Sequence, residues 1–287
     1  MEVKAQQSTP VHVYTPEAEL HHPLVLLRGM FTDIGASRSL AWSLATRDLR
    51  AQYRGSVLGF LWAFITPLVS TALWLFLSAT GVVKLADTGM PYALYVFSGT
   101  MLWQVFVEAL NSPLQQVNAA RAMLTKLNVP REAVVLAGFI KVLVNAGVKL
   151  LLLLAAVLAF GVRPDAHLLL VPAGLVVLAT AGLSLGLLLT PVGMLYSDVG
   201  RSIPLLAQLL MYLSPVLFAV PSTGLFAAVY RWNPMSPLVL NTRAWLTGMD
   251  APQAGYYLVV VAGIALLLLL GWVLYRITMP ILIEHLN

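Results

Sequence analysis

Six apolar stretches, each long enough to cross a bilayer, constrain this chain more than any other feature. A span needs about 20 predominantly apolar residues, and such runs fall near 57–80, 91–113, 134–160, 168–195, 203–220 and 256–275. Apolar residues make up 59% of the chain and charged residues 10%, against roughly a quarter charged in soluble proteins. The expected fold is an all-α polytopic membrane protein of six transmembrane helices, with little chain left for an extramembrane domain. The first 56 residues hold no long apolar run after a basic start, so the first span is expected to stay in the mature chain.

Charge sets the expected orientation. With the N-terminus inside, cytoplasmic segments carry Lys4, Arg28, Arg38, Arg47, Arg50, Arg54, Arg121, Lys126, Arg131, Arg201 and Arg276. External segments carry only Lys84, Arg163, Arg231 and Arg243. Lys and Arg concentrate on the cytoplasmic side of membrane proteins, so both termini are expected there.

The organisation that follows is an arm over 1–37, an amphipathic interface helix over 38–56, a transmembrane domain over 57–276 and a tail over 277–287. The arm is polar, and its His21 and His22 read as a solvated tail or, as the alternative, as metal ligands. In the interface helix, Trp42, Ala45, Leu49 and Tyr53 share one side, with Arg47, Arg50 and Arg54 beside them. That pattern suits a helix lying at lipid headgroups. A cytoplasmic loop is expected over 117–132. The external connection 221–255 contains apolar pieces too short to span, which read as short helices dipping into the outer interface.

Several chemistries are excluded. The chain contains no G-x-x-x-x-G-K-[ST] phosphate loop, no H-E-x-x-H and no cysteine. No histidine lies at membrane depth to activate a serine. The chain therefore reads as a conduit or scaffold rather than an enzyme. Three ionisable residues fall within the spans: Glu108, Lys141 and Lys149. Intramembrane charge is costly and faces protein or water, so Glu108 pairs with Lys149 or Lys141, or these groups line a polar pathway. An acid–base pair also suits an ion-coupled carrier.

Five segments in order carry a family resemblance: RDLRAQYRGSVLGFLWAFITP at 47–67, YALYVFSGTMLWQVFVEAL at 92–110, LTKLNVPREAVVLA at 124–137, YSDVGRSIPLLAQLLMYLSPVLF at 196–218 and NPMSPLVLNTRAWLTG at 233–248. Together they resemble the membrane subunit of ABC-2 type polysaccharide exporters, the permeases of O-antigen, capsule and teichoic-acid transporters. The resemblance implies a bacterial inner-membrane permease moving an undecaprenyl-linked glycan, as a homodimer with two ATPase subunits and no nucleic-acid partner. It implies no cofactor in this chain, with ATP and Mg on the partner ATPase. The same likeness implies that Arg47, Arg50, Tyr53 and Arg54 meet the lipid headgroup at the substrate entrance. Trp62, Tyr92, Tyr95, Phe97, Trp103, Phe106, Tyr212 and Phe218 become channel-lining candidates, together with Glu108 and Lys149. Arg121, Leu124, Lys126, Leu127 and Arg131 become the contact to the ATPase, with Leu124 and Leu127 as apolar knobs. A drug or lipid exporter of the same architecture is the alternative.

Overall fold

The computed structural model describes residues 23–54, 61–80, 88–126, 130–162, 165–219 and 223–285. The helices are α1 (Pro23–Tyr53), α2 (Trp62–Ala79), α3 (Tyr92–Lys126), α4 (Arg131–Ala159), α5 (Val171–Leu195), α6 (Ser197–Tyr212), α7 (Leu225–Trp232), α8 (Met235–Thr247) and α9 (Ala254–His285). A 3-10 turn, Ala166–Leu170, leads into α5, and Asp165 caps it by accepting from the His167 N–H at 2.9 Å. The His167 ring, 2.6 Å away, holds the Asp165 carboxyl below its ordinary range. Among the described residues there is no strand.

Helix α3 is the axis of the fold. Its 35 residues extend about 50 Å, and it packs against α2, α4 and α5. The closest approach is to α5. A Cβ on Gly182 would collide with the Phe106 carbonyl oxygen, and one on Gly186 with that of Leu110. Small residues let membrane helices come this near, so the Gly182/Gly186 pair serves packing within the chain. Helix α9 covers the far side of α5, and α1 lies along α4.

Among the described residues, four stretches are long and apolar enough to cross a membrane: Tyr92–Lys126, Arg131–Ala159, Ala166–Leu195 and Ala254–Leu282. The first and fifth expected spans give shorter helices. Residues 55–60 lie outside the described part, and α2 runs for 18 residues through Pro67. Helix α6 starts at Ser197 but stops at Tyr212, and its 16 residues reach only about 24 Å. Pro215 brings no N–H to continue it, so 213–218 turns away instead of completing a span to 220.

Three other boundaries move. Helix α1 begins at Pro23, taking up 23–37 of the expected arm. Proline suits a first helical turn, and Met30, Ser37, Ala41, Leu44 and Ala45 give the helix a buried face. That face meets α4 through Ala137, Leu136 and Ile140, so this helix is docked on protein while Trp42 stays exposed. The expected 117–132 loop is mostly the end of α3, because Val117, Ala120 and Leu124 continue its buried face. The expected tail is helical to His285, with Met279 and Leu282 still in the core. Arg276 ties three helices together, its Nη1 lying 2.8 Å from Asp33 Oδ2 on α1 and 3.4 Å from Glu132 Oε1 on α4.

Candidate functional site

The polar residues of α3 are not scattered. Gln104, Glu108, Asn111 and Gln115 recur at i, i+4, i+7 and i+11, which places them on one face of the helix. On α4, Lys141, Asn145 and Lys149 recur at i, i+4 and i+8. The two stripes face each other across an open-sided cavity of about 570 Å3, with Thr66 and Trp62 of α2 and Gln52 near the end of α1 at its margin. Polar groups in a membrane bundle face protein or a water-filled space, which is why both stripes turn inward.

In the lining of this cavity Lys149 Nζ lies 2.7 Å from Glu108 Oε2. This settles the pairing in favour of Lys149; Lys141 lines the same cavity without sharing the bond. Asn145 Nδ2 approaches Glu108 Oε1 at 3.5 Å, a long contact. The Lys149 side chain is 5% exposed and that of Glu108 is 38% exposed. The cation is therefore spent on the carboxylate, while the carboxylate keeps an open side with lone pairs free to accept.

A second polar cluster lies at the Tyr92 end of the bundle, around the 213–218 turn. Carbonyls of a broken helix need donors, and here each one finds one. Tyr230 Oη donates to the Tyr212 carbonyl at 3.1 Å, and Asn233 Nδ2 to that of Leu213 at 2.7 Å. The Val216 N–H meets Ser214 at 2.7 Å. Arg243 of α8 donates from Nη1 to Pro215 at 2.9 Å and from Nη2 to Val216 at 3.0 Å. Tyr92 and Tyr95 hydroxyls donate to Leu217 and Phe218, at 3.2 and 2.9 Å. The Arg243 guanidinium also stacks 3.7 Å from the Tyr95 ring centroid, a favourable cation–π contact. Burial pulls Arg243 below its ordinary value, opposed by Tyr95, and raises the Tyr230 hydroxyl. Gly99 makes room for this, since a Cβ there would strike Arg243 Nη2 and the Val216 carbonyl.

The expected site residues divide accordingly. Tyr95, Phe97, Trp103 and Phe106 are buried in the core of the chain, so they are packing residues of α3 rather than rings offered to a channel. Trp62 and Tyr212 are exposed, and Tyr92 and Phe218 are half-buried. Phe218 meets the Trp74 ring edge-on at 5.2 Å. Arg47 pairs with its neighbour Asp48 at 2.8 Å, while Arg50 and Arg54 are exposed. The Tyr53 side chain and Leu127 lie outside the described residues. Arg121 and Lys126 are exposed and Arg131 half-buried, but Leu124 packs inward with Val117, Tyr275 and Met279 and is no surface knob. Among the described residues no His/Asp/Glu cluster could hold a metal ion.

Sequence reasoning missed Arg243, taken as one of four external cations, and the amide stripe of α3. The signals were available: a lone arginine inside the apolar VLNTRAWL run, and three amides in helical register with Glu108.

Comparison with known proteins places these features in a family. The ABC-2 type transporter family matches residues 39–246. The chain is 27% identical over 220 residues, 76% of its length and 84% of the relative's, to the O-antigen export system permease protein RfbA of Myxococcus xanthus. It is 23% identical over 207 residues to the protein of the same name from Klebsiella pneumoniae, covering 70% and 77% of the two chains. It is also 24% identical over 225 residues to the capsule polysaccharide export inner-membrane protein CtrC of Neisseria meningitidis serogroup B, covering 75% and 80%.

Proposed function

We propose that this chain, which belongs to the ABC-2 type transporter family, is the permease subunit of an ATP-driven exporter of lipid-linked polysaccharide, O-antigen-like or capsule-like. The observation that carries this reading is likeness over most of their lengths to export permeases of both polysaccharide classes. The chain lacks a phosphate loop, so ATP, with its Mg, belongs to a separate ATPase subunit. In the bacterial inner membrane the Lys126 end of the bundle faces the cytoplasm with both termini, following the positive-inside distribution. Helices α2 and α6, though short, are the first and fifth of six crossings.

The working assembly is a homodimer bound to two ATPase subunits. Helix α2 exposes Leu68, Val69, Leu73 and Phe76, and α6 exposes Leu205, Leu206 and Leu209. A second copy covering these faces would follow the two-fold symmetry usual for such pairs. Arg121, Lys126 and Arg131 at the α3–α4 connection meet the ATPase, carrying its closure into α3. Arg50 and Arg54 meet the diphosphate of the carrier lipid, since guanidinium forks match phosphate oxygens; Arg47 does so after exchanging Asp48. Trp62 and Tyr212 offer rings to the passing glycan.

Co-expression with a polysaccharide-exporter ATPase tests the reading. The expected result is a complex that survives purification and hydrolyses ATP faster when lipid-linked glycan is added. A permease that purifies without the ATPase, with hydrolysis indifferent to glycan, would contradict it.

A further inference from the structure

The cavity between α2, α3 and α4 has a lining that discriminates among ligands. Its volume, about 570 Å3, falls in the range of small-molecule sites, roughly 300–1,000 Å3. Lys149 is already committed to Glu108 at 2.7 Å, so the cation beside the open carboxylate is not awaiting an anion; Lys141, about two turns earlier on α4, is the other cation of the lining. What stays open is the carboxylate, which accepts only, and amides on the α3 stripe, which both donate and accept. Asn111 spends an N–H on the Val107 carbonyl at 2.8 Å, leaving its amide oxygen for a donor.

A phosphate oxygen brings no hydrogen to Glu108 and would be repelled by it, so even a phosphate drawn to Lys141 would leave the carboxylate and the amide oxygens without a donor. An acyl chain would leave the whole stripe without partners, at substantial cost in a membrane interior. A sugar hydroxyl donates and accepts at once, so it satisfies Glu108 and its amide neighbours together. Trp62, 55% exposed at the cavity margin, adds a flat apolar face for the C–H side of a pyranose ring. The stripe from Gln104 to Gln115 covers 11 residues of rise, about 16 Å, longer than one ring.

We propose that this cavity is a sugar-recognition site, in which Glu108, Gln104, Asn111 and Gln115 hold hydroxyls of the glycan next to its lipid carrier. The inference rests on the export reading above and adds that the permease itself senses the sugar. It also separates the site from the arginines of α1, which meet the diphosphate.

The test titrates the full chain in lipid nanodiscs, by native mass spectrometry, with two probes: a polyprenyl diphosphate bearing one hexopyranose, and the same lipid without sugar. Wild type should prefer the glycosylated lipid by at least about tenfold, as hydrogen bonds to a charged partner allow. Asn111→Leu and Gln115→Leu should each reduce that preference severalfold while binding the bare lipid as wild type does, a control for folding. Equal affinity of wild type for the two lipids would overturn the site and leave the export reading standing. An undiminished preference in both variants would overturn it too. Failure to bind either lipid would sink the export reading, and the site with it.

Discussion

Two cations buried in the described bundle, Arg243 and Lys149, are used in opposite ways. At the Tyr92 end, Arg243 spends its donors on Ser98 and on the Pro215 and Val216 carbonyls, and its face rests on Tyr95. Lys149 of α4 is also buried, yet its partner Glu108, near the middle of α3, stays open to a polar cavity. The first cluster is closed on itself: the carbonyls from Tyr212 to Phe218 are each met within the chain. The second keeps acceptors and donors unspent. Burial of a charge alone therefore does not mark function; the hydrogen-bonding capacity left after the local partners are served does.

Substitutions at five positions can break or sharpen that contrast. Arg243→Leu should have the largest effect, because it leaves the buried Val216 carbonyl and a tyrosine face without their partner and removes one of the two donors to Pro215. A loss of at least about 3 kcal/mol is expected, read as a large fall in thermal midpoint in detergent or failure to accumulate. Arg243→Lys should recover only part, lacking the planar fork. Lys149→Met comes next, at about 2 kcal/mol, since Glu108 loses its cation but keeps its opening to the polar cavity. The double variant Lys149→Met with Glu108→Gln should regain most of that stability while losing any sugar preference. If the double variant is no more stable than the single, the pair is not the source of the loss. Tyr95→Phe removes hydroxyl bonds to Pro215 and Phe218 but keeps the ring under Arg243, so about 1–2 kcal/mol should be lost. Gln115→Leu should leave the thermal midpoint unchanged, because Gln115 is exposed to the cavity. A large destabilisation there would erase the distinction between the two regions.

The sequence made the long apolar helices legible because hydrophobic length is a local property. It also made the Glu108 pair legible, since charge at membrane depth needs a partner. Choosing Lys149 over Lys141 needed the helix faces in three dimensions. The early stop of α6 was less visible: SPVLF reads as an apolar continuation, and only Arg243, Tyr95, Tyr92 and Asn233, distant in sequence, make a broken helix stable there. For the same reason Phe97, Trp103 and Phe106 resembled pore aromatics until α3 proved to be the central helix. Leu124 looked like a docking knob until α9 was found packed over it. Local patterns identify what a segment is made of; which side it buries depends on neighbours far along the chain.

The most direct measurement of the central claim is transport in proteoliposomes holding this chain with and without its ATPase. ATP-dependent movement of lipid-linked glycan only when both are present is the predicted result. Glycan movement by this chain alone, driven by an ion gradient, would contradict it.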